Sequence, residues 1–263
     1  MNAALPQQQP IDVRLMNTTA TVLFAAGAVL LAAAFSWWAV RHPLFALSGI
    51  TVEGEVAHNS AVTLRANVAP QLSGNFFTVD LQRARDAFEA VPWVRQAVVR
   101  RQFPNRLRVR LQEHQPAALW GPEGEARLVN NFGEVFEANV GDAEQQDLPR
   151  LSGPDAEAPQ VLAMHHALVP LLEPLDLGVS ELALTRRGSW TLTLDTGGVV
   201  ELGRGTPAEV MARMQRFVQT LTQVTSKYAR TPESLMSADL RHGDGYAIRL
   251  RGVSTAGADA QKK

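Results

Sequence analysis

The chain has 263 residues, enough for two modest domains, and a hydrophobic share of 46%, which excludes a wholly disordered protein. Its formal net charge of −1 produces no overall field that would attract nucleic acid or acidic substrates. Because the sequence contains no cysteine, disulfides, thiolate metal sites and cysteine nucleophiles are excluded.

The N-terminal region predicts a short tail followed by a membrane anchor. Residues 1–17 are polar and rich in proline and glutamine, which favours a flexible cytoplasmic tail. Residues 18–40 carry no charge, and a helix of this length spans about 34 Å, enough to cross a bilayer. Alanines 32–34 resemble a signal-peptide cleavage site, but the apolar run continues to Trp37 and Trp38, which favours a retained anchor. Since large C-terminal domains are translocated almost regardless of flanking charge, we expect the rest of the chain to be exported.

The first exported region, residues 44–115, predicts the order strand, helix, helix, strand, strand. The stretch LSGITVEGE alternates as a strand does, and LQRARDAFEAV after Asp80 has the apolar stripe of a capped helix. An earlier helix is predicted in SAVTLRANVAPQL. Two more strands follow Pro92, separated by the turn at Pro104 and Asn105.

The arginine-rich stretch RRQFPNRLRVR begins at residue 100 and contains five arginines in eleven positions. Period two places Arg106, Arg108 and Arg110 on one face of a strand and the intervening apolar residues on the other. This pattern is typical of a solvated sheet face, while contact with a partner or with lipid headgroups stays open. A nucleic-acid site is not indicated, because aromatic residues for base stacking do not accompany the arginines.

Short alternating strands dominate residues 116–253, for which we predict an antiparallel sheet with two or more helices. One helix is predicted at about residues 160–173, after a loop in LPRLSGPDAEAP, and a long amphipathic helix begins at Pro207. The last strand is GYAIRLRG, which can lie at an open sheet edge or in an interior or blunted position. Residues 254–263 predict a disordered tail.

Few residues suggest chemistry. The GxSxG and SxxK frames of serine enzymes do not occur. His165 and His166 are adjacent on a predicted helix, so they point about 100° apart and do not form a zinc-binding pair. The segment GRGTP precedes a helix without the frame or the lysine of a phosphate-binding loop. We therefore expect no catalytic activity, no metal and no cofactor.

Six stretches, in this order, resemble the FtsQ/DivIB family of bacterial cell-division proteins, closer to its FtsQ branch. They are ITVEG, VRRQFPNRLRVRLQEHQPAALW, LVNNFGEVFE, LPRLSGP, LTRRGSWTLTLDTGGVVELGR and ADLRHGDGYAIRL. The resemblance implies an α+β chain: one transmembrane helix, a POTRA-like βααββ domain at residues 44–115 and the family's β domain at residues 116–253.

The resemblance also implies a non-catalytic inner-membrane scaffold at the division septum, with a cytoplasmic N-terminus and a periplasmic body. Such proteins link early and late division proteins and hold an FtsB–FtsL pair. The family's FtsB contact is strand addition on the last strand, and it matches Arg241, His242, Gly245, Tyr246, Ala247, Ile248 and Arg249 here. Arg187 matches a supporting basic position. His242 replaces a frequent aromatic, and Leu250-Arg251 stands where tryptophan is common.

Two other functions stay open. A POTRA-bearing export or outer-membrane assembly component would carry several POTRA units or a long barrel. A membrane-anchored periplasmic cell-wall hydrolase would need converging ionisable side chains in a cleft.

Overall fold

The computed structural model describes residues 11–54, 57–58, 60–125, 127–138, 148–242 and 245–253. Two compact units make up the chain: Met1–Val91 with Gln96–Gln112, and Pro92–Arg95 with Glu113–Lys263. The first ten residues of the predicted N-terminal tail and the predicted tail at 254–263 lie outside the described residues. So do residues 243–244, whose Gly-Asp sequence is typical of a turn.

The first element is the 31-residue helix α1, Ile11–Arg41. It begins seven residues before the predicted anchor, so residues 11–17 are helical and the prediction of a flexible tail is wrong for them. Asp12 lies in the first turn, where a negative charge favours the helix dipole, and the hydroxyl of Thr18 donates to the carbonyl of Arg14. None of the helix residues is buried, and their length and apolar composition suffice to cross a membrane.

The first unit confirms the predicted order of strand, helix, helix, strand, strand. Its elements are β1 Gly49–Gly54, α2 Ala61–Val68, α3 Leu81–Glu89, β2 Val94–Gln102 and β3 Arg106–Glu113, of which β2 and β3 continue into the second unit. The sheet order is β1-β3-β2, with β1 parallel to β3. Asp80 caps α3 by accepting hydrogen bonds from the backbone N–H groups of Gln82 and Arg83.

The arginines of β3 lie on the exposed face of this sheet, as predicted, while Leu107, Val109 and Leu111 are buried. Arg108 forms an ion pair with Glu53 of β1, with Nε 3.4 Å from Oε1. Arg101 has a different role, because its guanidinium donates to backbone carbonyls of residues 76, 77 and 79. The arginine-rich stretch therefore contains both the exposed arginines of a solvated sheet face and Arg101, which holds the loop at residues 76–79 by hydrogen bonds.

The second unit is a nine-stranded sheet with two helices. Its strands are β4 Pro116–Trp120, β5 Arg127–Asn130, β6 Val135–Glu137, β7 Arg150–Ser152, β8 Val179–Leu184, β9 Ser189–Leu194, β10 Val199–Arg204, β11 Leu235–Asp239 and β12 Ala247–Leu250. The helices are α4 Ala158–Leu172 and α5 Pro207–Ser226. In the sheet the strand order is β12-β11-β10-β9-β8-β7-β4-β5-β6.

This sheet is mixed, where an antiparallel one was predicted. The pairs β4–β7, β7–β8 and β10–β11 are parallel. Helices cause two of the parallel pairs: α4 carries the chain from β7 back to β8, and α5 carries it from β10 back to β11. Alternation along single strands does not reveal such crossovers.

Strand β7 lies in the interior of the sheet, although LPRLSGP was predicted as a loop. The strand has three residues, of which Leu151 alone is fully buried, and it is parallel to both of its neighbours. The prediction of a loop is therefore wrong here, because a strand of three residues is too short to show a period of two.

Asn130 is a fully buried amide that organises the turn after β5. Its Oδ1 accepts the backbone N–H groups of Phe132 and Glu134, both at 2.9 Å. Its Nδ2 must then be the group that contacts Oε2 of Glu134 at 2.7 Å and Nδ1 of His114 at 2.8 Å. The imidazole therefore accepts at Nδ1, which requires a neutral ring.

The environment of His114 disfavours its protonation. Burial lowers the pKa of this histidine, Glu134 opposes the shift and the Arg95 guanidinium adds to it. A histidine whose pKa is lower in the folded state contributes full stability above the ordinary value of about 6.5 and loses it as the pH falls below that value.

We predict that acidification destabilises the wild-type region 44–263 more than its His114→Gln variant, because glutamine accepts from Asn130 without titrating. The measurement is the free energy of unfolding in urea between about pH 5 and pH 8. The pKa of His165 is also lowered by burial, so a smaller loss with the same sign persists in the variant. If the free energy of unfolding depended on pH in the same way in both proteins, the assignment of His114 as a neutral hydrogen-bond acceptor would be contradicted.

Candidate functional site

Strand β12 lies at the end of the nine-stranded sheet and pairs with β11 in antiparallel fashion, Ile248 opposite Ala238. In the described part of the chain, no strand pairs with its other side. The sequence left open whether this strand lies at a sheet edge or in an interior or blunted position, and the structure places it at the edge. That side presents backbone N–H and C=O groups to which another strand can bind.

A hydrogen bond at the end of β12 determines the direction in which each backbone N–H group of the strand points. The N–H of Arg251 donates to the carbonyl of Ser234, which precedes β11, at 2.8 Å. Since successive N–H groups of a strand point to opposite sides, the N–H of Arg249 also points to β11. The N–H groups of Ile248 and Leu250 therefore point away from the sheet.

The side chains of β12 divide between the two faces of the sheet. Leu250 is buried and Ile248 is half-buried against the core, while Ala247 and Arg249 are exposed. A docking strand would therefore meet the outward backbone groups of Ile248 and Leu250 and the exposed side chains of Ala247 and Arg249. The candidate site is the open backbone edge of β12, whose core-facing side chains pack against the core of the second unit.

Arg241 is held in place two residues after the end of β11. Its Nε and Nη2 donate to Oδ1 and Oδ2 of Asp239 at 2.9 and 2.6 Å, and its backbone N–H donates to Oδ1 at 3.0 Å. These hydrogen bonds keep the pKa of Asp239 well below its usual range. The Arg241 side chain is 59% exposed, so the ion pair orients a cation that a partner can still reach.

The glycine-containing segment GRGTP has a structural role next to this arginine. Gly203 has a φ of 76° at an irregularity in the β9–β10 register, and a Cβ there would lie 2.8 Å from Cγ of Arg241. Thr206 and Glu209 form a reciprocal capping box at the start of α5. The segment is therefore a strand-to-helix turn that allows Arg241 to approach the backbone.

Tyr246 ties the start of β12 to α5. Its hydroxyl lies 2.6 Å from Oγ1 of Thr220, and its ring meets that of Phe217 edge-on at 5.0 Å. Phe217 is fully buried in the core. The tyrosine is therefore a support for the edge strand rather than a freely exposed side chain.

A cleft of about 240 Å³ opens between α5 and the start of β12. Two arginines of α5, Arg213 and Arg216, line it together with His242, Gly245 and Tyr246. The arginines were not predicted as site residues. Their spacing of three places them on one face of the helix, but the sequence does not indicate that this face adjoins β12.

Arg187 is exposed in the turn between β8 and β9. Ser189 at the start of β9 lies opposite Arg204 at the end of β10, and β11 runs parallel to β10, so Arg187 and Arg241 lie at the same end of the sheet. Three inter-strand spacings separate β9 from β12, about 14 Å. The structure therefore places Arg187 on the same rim as the predicted docking residues but not beside β12.

The histidines of α4 do not gain metal partners from the fold. The ring centroids of His165 and His166 lie 5.8 Å apart. Within the described ranges, no group of three or more His, Cys, Asp or Glu residues is placed to hold a metal ion.

Two family models match this chain. Residues 118–241 match "Cell division protein FtsQ/DivIB, C-terminal", and residues 45–114 match "POTRA domain, FtsQ-type". The second match covers the βααββ unit, and the first runs from β4 to Arg241.

Curated relatives resemble nearly the full chain. A "Cell division protein FtsQ" of Thiomonas arsenitoxydans is 37% identical over 98% of this chain and 94% of the relative. Proteins of the same name from Burkholderia pseudomallei and Bordetella pertussis are each 40% identical. These alignments cover 92% of this chain and 94% of the relative, and 91% and 92%, respectively.

We predict that Gly203→Ala destabilises the region 44–263 more than Gly197→Ala does. Both substitutions put a side chain at a positive φ, which costs roughly 1 kcal/mol or more, but only the Cβ at residue 203 meets another residue within 4 Å. Urea unfolding of the two variants measures the difference. Equal losses of stability would show that the contact between Gly203 and Arg241 does not matter.

Proposed function

We propose, from the premise that this chain belongs to the FtsQ/DivIB family of cell-division proteins, that it is a non-catalytic scaffold of the divisome. In this role it links early and late division proteins and docks an FtsB–FtsL-type complex. The docking element is β12, which accepts a strand of the partner at its open edge.

The observation that carries the proposal is the outward direction of the N–H groups of Ile248 and Leu250 at the end of the sheet. Backbone hydrogen bonds to an added strand are made by these groups and the carbonyls beside them. The buried side chain of Leu250 and the contact of Tyr246 with α5 hold the edge in place before the partner arrives. Such pre-organisation reduces the entropy lost on binding.

The charges around the edge favour an acidic partner segment. Arg241 is oriented by Asp239, and Arg249 is exposed on the strand itself. His242 lines the adjacent cleft and offers a ring nitrogen for hydrogen bonding. Arg187 extends the basic rim to the neighbouring turn. Long-range attraction of this kind raises the association rate and aligns the partner, and it weakens as salt increases.

The same proposal places the protein in the inner membrane. Helix α1 spans the bilayer once, with the N-terminus in the cytoplasm and the residues after Arg41 in the periplasm at the division septum. Supporting this, the uncharged stretch of 18–40 is long enough to span and no residue of α1 is buried within the chain. We assign residues 44–115 to the POTRA-like domain and residues 116–253 to the β domain.

We predict that Ile248→Pro abolishes binding of region 44–263 to the periplasmic part of FtsB in complex with FtsL. Proline removes one outward N–H without removing a hydrogen bond to β11, so the variant still folds. Isothermal titration calorimetry measures binding, and circular dichroism establishes folding.

Two variants serve as controls. Ile248→Val keeps the N–H and the core contact and retains affinity within a few-fold. Arg249→Pro removes an N–H that bonds to β11, so it lowers the stability of the second unit. Wild-type binding by folded Ile248→Pro would refute strand addition at this edge, and no binding by the folded wild type would refute the scaffold function of this region.

A further inference from the structure

Four phenylalanines form a cluster on the first unit: Phe45, Phe76, Phe77 and Phe103. Their rings meet edge-on, with centroids 4.8 Å apart for Phe45 and Phe77, 5.2 Å for Phe76 and Phe77, and 6.1 Å for Phe76 and Phe103. Phe77 is 48% and Phe103 is 75% exposed, and neighbouring Leu44 is 66% exposed. The phenylalanine cluster is thus an exposed apolar patch rather than part of the core.

The phenylalanine cluster comes from three segments that are separated in sequence. Phe45 lies in the segment that leaves α1, Phe76 and Phe77 lie in the loop before α3, and Phe103 lies in the turn between β2 and β3. The three segments are tied together. The N–H of Phe76 donates to the carbonyl of Phe45 at 2.8 Å, and the N–H of Ser48 donates to that of Asn105 at 2.9 Å.

The phenylalanine cluster is also tied to the end of α1. The side-chain amide of Asn75, next to Phe76, donates to the carbonyl of Val40 in the last turn of the helix. Trp37 and Trp38 occupy that turn, and the guanidinium of Arg41 lies 4.0 Å from the ring centroid of Trp37. Tryptophan and arginine at the end of a spanning helix mark the interface between hydrocarbon and headgroups.

Arg101 fixes the loop that carries two of the rings. Its Nε donates to the carbonyl of Phe76 at 2.7 Å, and its Nη2 donates to that of Val79 at 2.8 Å. Asn75 accepts the backbone N–H groups of Phe77 and Thr78, both at 3.0 Å. These hydrogen bonds therefore hold the rings in an exposed position, although the exposure of apolar rings to water is unfavourable.

We propose that the phenylalanine cluster inserts into the outer interface of the lipid bilayer beside α1 and forms a second membrane contact. This inference rests on the proposed insertion of α1 as a single spanning helix. The cluster adjoins the end of the helix that carries Trp37 and Trp38, so the nearest apolar medium is the bilayer. Aromatic side chains buried in the interface add apolar area to the membrane contact.

A consequence is a restricted orientation of the first unit. A domain attached to the membrane only by a helix end and a short linker is free to tilt. Two membrane contacts, one through α1 and one through the phenylalanine cluster, restrain that tilt. Arg106, exposed just after the turn that carries Phe103, then lies where its guanidinium meets lipid phosphates.

The test uses the full chain, which contains no cysteine, so that each introduced cysteine carries the only spin label. Labels are placed at Phe77→Cys and Phe103→Cys, and a matched exposed control at Gln96→Cys lies near the other end of β2. A fourth label at Gly27→Cys reports on α1, where a Cβ meets nothing within 4 Å. The protein is reconstituted in vesicles of phosphatidylethanolamine and phosphatidylglycerol.

Relaxation measurements compare collisions with oxygen, which concentrates in lipid, and with a water-soluble nickel chelate. The expected result is a severalfold higher oxygen-to-nickel ratio at sites 77, 103 and 27 than at site 96. A ratio at sites 77 and 103 equal to that at site 96, with site 27 in lipid, would overturn the second contact alone. Site 27 in water would overturn both the anchor and the inference, and protection of sites 77 and 103 from both reagents would indicate a protein contact and overturn the lipid contact.

Discussion

Burial of one face of the nine-stranded sheet is the constraint on which the second unit depends. Trp190, Leu192 and Leu194 alternate along β9 and pack with Met214 and Phe217 of α5. A slip of one residue would turn this whole set toward solvent, so the core fixes the register. The crossovers that bring α4 and α5 over that face leave β12 as the last strand, so the open edge is a consequence of how the core is covered.

Strong periodicity made much of the fold predictable. The alternation of β3 and β9 and the stripe of α5 were confirmed because each pattern lies within one element. The βααββ order was confirmed because each of its elements has a recognisable pattern or turn of its own. Strand β7 was missed because one buried residue, Leu151, shows no period. Parallel pairing was missed because it depends on where the crossover helices return the chain. The early start of α1 was missed because the polar first turns of this helix are not part of the apolar segment.

The candidate site was only partly predictable. Edge and interior strands have the same alternation, so the position of β12 needed the sheet order, and the outward N–H groups needed the hydrogen bond of Arg251. The residues of the predicted docking strand came from the family resemblance. Arg213 and Arg216, and the contact of Arg241 with Gly203, join segments distant in sequence, so no local pattern records them.

The most direct test of an open edge is the hydrogen exchange of single backbone amides, measured by NMR for region 44–263 with and without the partner. We expect the amides of Ile248 and Leu250 to exchange rapidly in the free protein and to be protected in the complex. The amide of Arg249, which points to β11, should be protected in both states. Binding that leaves Ile248 and Leu250 unprotected would contradict the account, as would strong protection of these two amides in the free protein.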